Sequence, residues 1–184
     1  MMKREIVPNL KGGAAEARTR RKRAFVALSL TFAVLACSEA WARSPLEHAE
    51  RSEVALAEAV LEALSQRDTV ALQGFLVSRS EYEDLLWPEM PDKEYTPFDF
   101  VWSLNQANTR KGLRQLLNVY GGLTLEVISI RFAEPPETYG SFQIHQGVEV
   151  TVRQQETGDV GVLGSFDVLV EYGGVWKLLN YDEI

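Results

Sequence analysis

The chain has 184 residues, 26 acidic against 19 basic side chains, a formal net charge of −7 and a single cysteine, Cys37. That length fits one domain plus an extension. One thiol excludes an internal disulfide, and the acidic balance disfavours a nucleic-acid partner.

The first 42 residues differ in character from the rest. Residues 1–23 hold eight basic side chains against Glu5 and Glu16, and Phe25 to Ala36 then runs without charge. A basic stretch followed by a short apolar one is the pattern of an export signal. As a helix these twelve residues would reach about 18 Å. A bilayer core needs about 30 Å, so no membrane span is expected after processing. An uncleaved anchor over 24–42 is the competing reading, against which stand Glu39 and the small residues at its end. Ala40-Trp41-Ala42 is an A-x-A site and places cleavage before Arg43. Val34-Leu35-Ala36-Cys37 resembles the lipobox of bacterial lipoproteins and offers the alternative, a lipidated Cys37 and a membrane-tethered protein. The expected location is periplasmic or secreted. Removing 1–42 leaves 11 basic and 23 acidic residues, so the domain at 43–184 stands near −12.

Residues 43–48 read as a linker. From Glu47 to Ser65, Val54, Ala57, Val60, Leu61 and Leu64 recur at helical spacing, with Glu50, Glu53, Glu58 and Glu62 opposite. Asp68 reads as the cap of a short helix, Thr69 to Leu76. Ser80 opens a third, which Trp87-Pro88 closes because the residue before proline avoids helical geometry. After a loop over 88–97, Thr96-Pro97 reads as the start of a helix running to Tyr120, with a break near Asn108-Thr109, and Gly121-Gly122 end it. The period then changes to two. Leu123 to Phe132 is a strand. The next carries Phe142, Ile144, Val148, Val150 and Val152 on even numbers, with His145, Glu149, Thr151 and Arg153 on odd ones. The third carries Val160, Val162, Phe166, Val168, Val170 and Tyr172 on even numbers. Gly173-Gly174 supplies the positive φ of a two-residue hairpin, and Val175 to Tyr181 is the fourth strand. The expectation is an α+β domain: N-terminal helices packed on one face of a curved, four-stranded antiparallel sheet, the even-numbered positions facing the core.

Helix, then the join Ala63-Leu64-Ser65-Gln66-Arg67-Asp68-Thr69-Val70-Ala71-Leu72, then helices and a sheet: this order resembles the nuclear-transport-factor-2-like superfamily, which includes polyketide cyclases and ketosteroid isomerases. Trp87-Pro88-Glu89, Tyr120-Gly121-Gly122 and the closing strand from Lys177 to Tyr181 resemble exported bacterial members of that group. The resemblance implies a cone-like domain, 43–184, whose mouth lies between sheet and helices. It implies no activity, since this fold hosts enzymes and non-enzymes alike.

Groups that could carry chemistry in such a cone are Asp99, Tyr120, Tyr139, His145, Glu149, Asp167 and Asp182, of which Tyr120 and Asp99 are retained as catalytic candidates. Asp99 also suits the start of a helix, and His145 on the odd face reads as a solvated residue. Ligand-pocket candidates are Trp87, Phe98, Trp102, Tyr120, Phe142 and Gln146, the last being the one polar residue to interrupt the even face. There is no GxGxxG, no GxxxxGKS, no nucleophile elbow and no pair of histidines at metal spacing, so neither a metal nor a cofactor is expected. Three functions compete. The first is non-catalytic binding of a small apolar ligand or a protein partner in the cell envelope. The second is an isomerase-, dehydratase- or cyclase-type enzyme using a cavity Tyr or Asp. The third is a structural subunit forming a homodimer through the outer sheet face.

Overall fold

The computed structural model describes residues 46–182; the processing positions Cys37, Ala42 and Arg43 lie outside them. Helix α1 spans Glu53–Gln66, opened by Ser52, whose side chain accepts from the Ala55 N–H. Its start lies six residues beyond Glu47 because the preceding chain has another partner. Glu50 exchanges both backbone hydrogen bonds with Trp176, at 3.0 and 2.7 Å. The buried stripe is Leu56, Ala57, Val60, Leu61, Ala63 and Leu64, and Val54 is exposed. Arg67, with φ of 56°, closes the helix and donates from Nη2 to the Gly121 carbonyl at 2.7 Å.

Asp68 caps α2 (Thr69–Gly74) as its position suggested. The helix ends two residues short of Leu76, which joins a bridge to Leu178. Ser78, not Ser80, opens α3 (Arg79–Glu81). The Ser78 side chain accepts from the Glu81 N–H while the Glu81 carboxylate accepts from the Ser78 N–H, a reciprocal capping box. The chain continues through a wide turn at Tyr82–Leu86 and tight turns at Trp87–Glu89 and Pro91–Glu94. Pro88 therefore does not stop it. Proline is accommodated early in a helical turn, where its missing N–H has no partner to lose. Helix α4, Phe98–Tyr120, is unbroken at Asn108-Thr109; Pro97 precedes it and no side chain caps it.

Among the described residues, seven strands follow in two antiparallel sheets. Strands β1 (Leu125–Phe132), β4 (Val148–Gln154) and β5 (Val160–Leu163) form one, in the order β1-β4-β5. Strands β2 (Glu137–Thr138), β3 (Phe142–Gln146), β6 (Val168–Tyr172) and β7 (Val175–Asn180) form the other, in the order β2-β3-β6-β7. Gly173 and Gly174 have φ of 60° and 82° and make the β6–β7 hairpin.

The even-numbered core holds only in part. Gly147, with φ of 62°, separates β3 from β4. Across it the facing changes: Phe142 and Ile144 of β3 pack with Tyr82, Leu86 and Met90, whereas Val148, Val150 and Val152 of β4 pack with α1. A slip of one residue sends every later side chain to the opposite face. The second sheet is covered on both faces, Leu169 and Leu178 lying in the first core and Val170 in the second. In β5 the expectation fails: Val160 and Val162 are exposed and Leu163 is buried. His145, expected in solvent, is buried too, because β3 turns its odd side toward the first core.

Candidate functional site

Two charged groups of the described residues are buried together. Lys177 of β7 is 2% exposed and Glu81 of α3 is 6% exposed. Their meeting follows from local structure. The capping box fixes α3 by its first turn, so Glu81 faces β7. On β7, Val175, Lys177 and Leu179 alternate onto the side where the second core lies, and Lys177 pairs with Val170 across the ladder. The Lys177 ammonium reaches both carboxylate oxygens, Oε1 at 3.1 Å and Oε2 at 2.8 Å. Oε1 also accepts the Glu47 N–H and Oε2 the Ser78 N–H, each at 2.6 Å. Every carboxylate oxygen thus has two donors. Burial pushes the Glu81 carboxyl up. The Lys177 hydrogen bonds, the Ser78 N–H, the Lys177 charge and the Glu47 N–H together outweigh it and hold Glu81 below its ordinary value of 4.5. Glu81 is therefore an anion at neutral pH. An ammonium has three N–H donors, so two bonds to Glu81 leave one to spare.

The pair lines a cleft of about 310 Å³. Trp102 and Gln106 of α4 line it too, with Leu76, Val77, Gln73, Gly74 and His48. The volume is at the lower end for a small-molecule site, and the mixture of apolar walls with a few convergent polar groups is the usual one. Among the described residues, no group of three or more His, Cys, Asp or Glu could hold a metal ion.

The residues singled out from sequence fall in several places. Trp87, Phe98 and Trp102 gather around Tyr82, with ring centroids 5.8–6.3 Å from it; Phe142 is buried in the same core. Of these, Trp102 alone lines the cleft. Gln146 donates to Glu137 at 2.9 Å. Tyr120 packs at the edge of the first core. Asp99 is exposed and binds the Arg79 guanidinium at 2.6 Å. Tyr139 donates to Glu137, and burial followed by that bond pushes its phenol up to about 12. Glu149 pairs with Arg131 across the outer sheet face. Asp167 is raised by burial and by Asp182 and Glu134 nearby.

His145 lies between Phe132 and Trp176, with ring centroids at 4.9 and 4.7 Å. Its Nε2 has no hydrogen-bond partner, and the Glu171 carboxylate is 3.4 Å away. Glu81 and Lys177 were both missed in the sequence. A signal for Glu81 was present, since Ser78-Arg79-Ser80-Glu81 has capping-box spacing. For Lys177 it was a cation inside a run of apolar strand residues. Comparison of the chain with protein-family models, with curated proteins and with solved structures gives no match.

Proposed function

We propose that this is a non-catalytic binding domain of the cell envelope that holds a small ligand in the cleft that Glu81 and Lys177 line. The observation that carries the reading is the state of the charged pair. Acid–base catalysis needs a group that titrates near working pH and can release its proton. Glu81 is held as an anion by four hydrogen bonds, and its neighbour is the ammonium that makes two of them. Such a pair anchors and orients. Trp102, Leu76 and Val77 offer apolar surface, while Gln73, Gln106 and the spare Lys177 donor suit an acceptor. The expected ligand has an apolar body and one carbonyl, carboxylate or sulfonate group. Catalysis by Tyr120 or Asp99 has less behind it, since one packs on the core and the other is tied to Arg79 in solvent.

The nuclear-transport-factor-2-like reading belongs to this proposal. Strands β1 and β2 both pair with the β3–β4 run. Across the breaks, Ala133 N–H bonds Gly147 O at 3.0 Å and Val148 N–H bonds Asp167 O at 3.4 Å. On that basis the two sheets are one meander of four strands, the first three bent midway, curved around α1 and α4. Export of the domain is likewise proposed, from the N-terminal signal. No helix of the described residues is long and apolar enough to cross a membrane.

The test is a fluorescence titration with 1-anilinonaphthalene-8-sulfonate, which has an apolar body and one anionic acceptor. Gly74 lines the cleft, and nothing lies within 4 Å of where its Cβ would be. Gly74→Trp should therefore fill the cleft and abolish a saturable, single-site signal while the fold is kept. Equal binding by wild type and Gly74→Trp would refute the site.

A further inference from the structure

The outward face of α4 joins exposed apolar and cationic side chains in one line. Tyr95, just before the helix, is 85% exposed; Phe100 is 64% and Leu104 55% exposed. At 100° per residue, Phe100, Leu104, Ala107, Lys111, Arg114 and Asn118 fall within one stripe. All six are exposed, and Arg110 lies beside them. The inward side is already used, by Trp102 in the second core and by Leu113 and Leu116 in the first.

Charge sets this face apart from the rest of the molecule. From Phe100 to Leu125 the chain contains no acidic residue and three cations, Arg110, Lys111 and Arg114. The other described residues hold 22 acidic side chains against seven basic ones. An acidic domain with one cationic helix orients that helix toward a negative surface and turns the rest away. The shape narrows the choice of surface. A helix of 23 residues extends about 34 Å, and its exposed stripe runs along the helix axis. A stripe of that length on one helix face can lie flat on a plane. Exposed Tyr, Phe and Leu at one end and Lys and Arg at the other are the pieces of an interfacial helix: apolar groups enter the headgroup boundary and cations stay among anionic phosphates.

We propose that α4 is a peripheral docking face for an anionic phospholipid surface, Phe100 and Leu104 entering the interface and Arg110 and Arg114 binding phosphate. This is a contact on the membrane, with no segment crossing it, and it is independent of the cleft reading. Near an anionic bilayer each Lys or Arg contributes about fivefold in affinity.

The test is sedimentation of the full chain with vesicles, so that any contribution of the N-terminal segment is common to every variant. Vesicles of phosphatidylcholine are compared with others containing about a third phosphatidylglycerol. Arg110→Glu/Arg114→Glu should lower binding to the anionic vesicles by about 30-fold or more and leave binding to neutral ones unchanged. Phe100→Ser/Leu104→Ser should weaken binding to the anionic vesicles as well. Raising salt from about 0.1 M to about 1 M shortens the screening length from roughly 10 Å to 3 Å and should remove the difference between the two vesicle types. Binding of both variants within about twofold of wild type, well short of the change expected from two cations, overturns the proposal. So does an elution volume that shifts with Arg110→Glu/Arg114→Glu, which would assign the face to a second copy of the chain.

Discussion

Removing Lys177 alone should be among the most damaging single changes in the domain. Lys177→Met keeps an apolar stem of similar length and deletes the ammonium. Glu81 then keeps the Ser78 and Glu47 N–H bonds but loses both bonds from Lys177 in a site 6% exposed. Stranding one partner of a buried ion pair costs about 3–5 kcal/mol. For a domain of this size that lowers the melting temperature by roughly 10–20 °C. Thermal and urea unfolding followed by circular dichroism measure it. The paired variant Glu81→Leu/Lys177→Met should be less destabilised than Lys177→Met, because no charge is then stranded and the residual loss is the two N–H groups, at about 1 kcal/mol each. The pH dependence has a definite sign. In the wild type the folded value of Glu81 lies below its ordinary 4.5, so its contribution is complete above about pH 4.5 and is lost as pH falls through the lower, folded value. In Lys177→Met the lost ammonium no longer opposes burial, so Glu81 sits higher than in the wild type, and the deficit against wild type should shrink on acidification. A cost below about 1 kcal/mol, the range of an exposed pair, would refute the reasoning.

Gly112→Ala should destabilise by about 1–3 kcal/mol, since a Cβ there would stand 2.4 Å from the Tyr181 carbonyl oxygen and force α4 off the C-terminal strand; a chemical melt reads it directly. Val150→Asp buries an unpaired charge and should cost several kcal/mol, whereas Val162→Asp, at a position 56% exposed, should stay within about 0.5 kcal/mol. Equal losses would mean that β5 faces the core with β4. Tyr181→Phe removes the buried bond from the Tyr181 hydroxyl to the Leu72 carbonyl, 2.8 Å long, and should cost about 1–2 kcal/mol in urea unfolding.

Much of the fold was legible where one residue type decides a local structure. Asp68 as a cap, Gly173-Gly174 as a hairpin and Gly121-Gly122 as a helix end each rest on a backbone requirement met by a few side chains. The α+β class and the order of helices before strands were legible for the same kind of reason, a change of hydrophobic period after Gly122. Facing was less so. Parity assumes an uninterrupted pleat, and Gly147 and the irregularity between Val127 and Ser129 each shift the phase by a residue. His145 is buried because β3 is covered on both faces, and β5 reverses parity because Val150 pairs with Leu163, so odd residues of β5 share a face with even residues of β4. The candidate site was legible only in fragments. Of the aromatic candidates Trp102 alone lines the cleft; Glu81 and Lys177 are 96 positions apart, and periodicity carries no information about which distant charges meet.

The most direct test of the central claim is a crystal structure of the protein grown with 1-anilinonaphthalene-8-sulfonate. The naphthalene should lie against Trp102 and Val77, with the sulfonate within hydrogen-bond reach of Lys177, Gln73 or Gln106. Density confined to the exposed stripe at Phe100 and Leu104, with the cleft occupied by water alone, would contradict that claim.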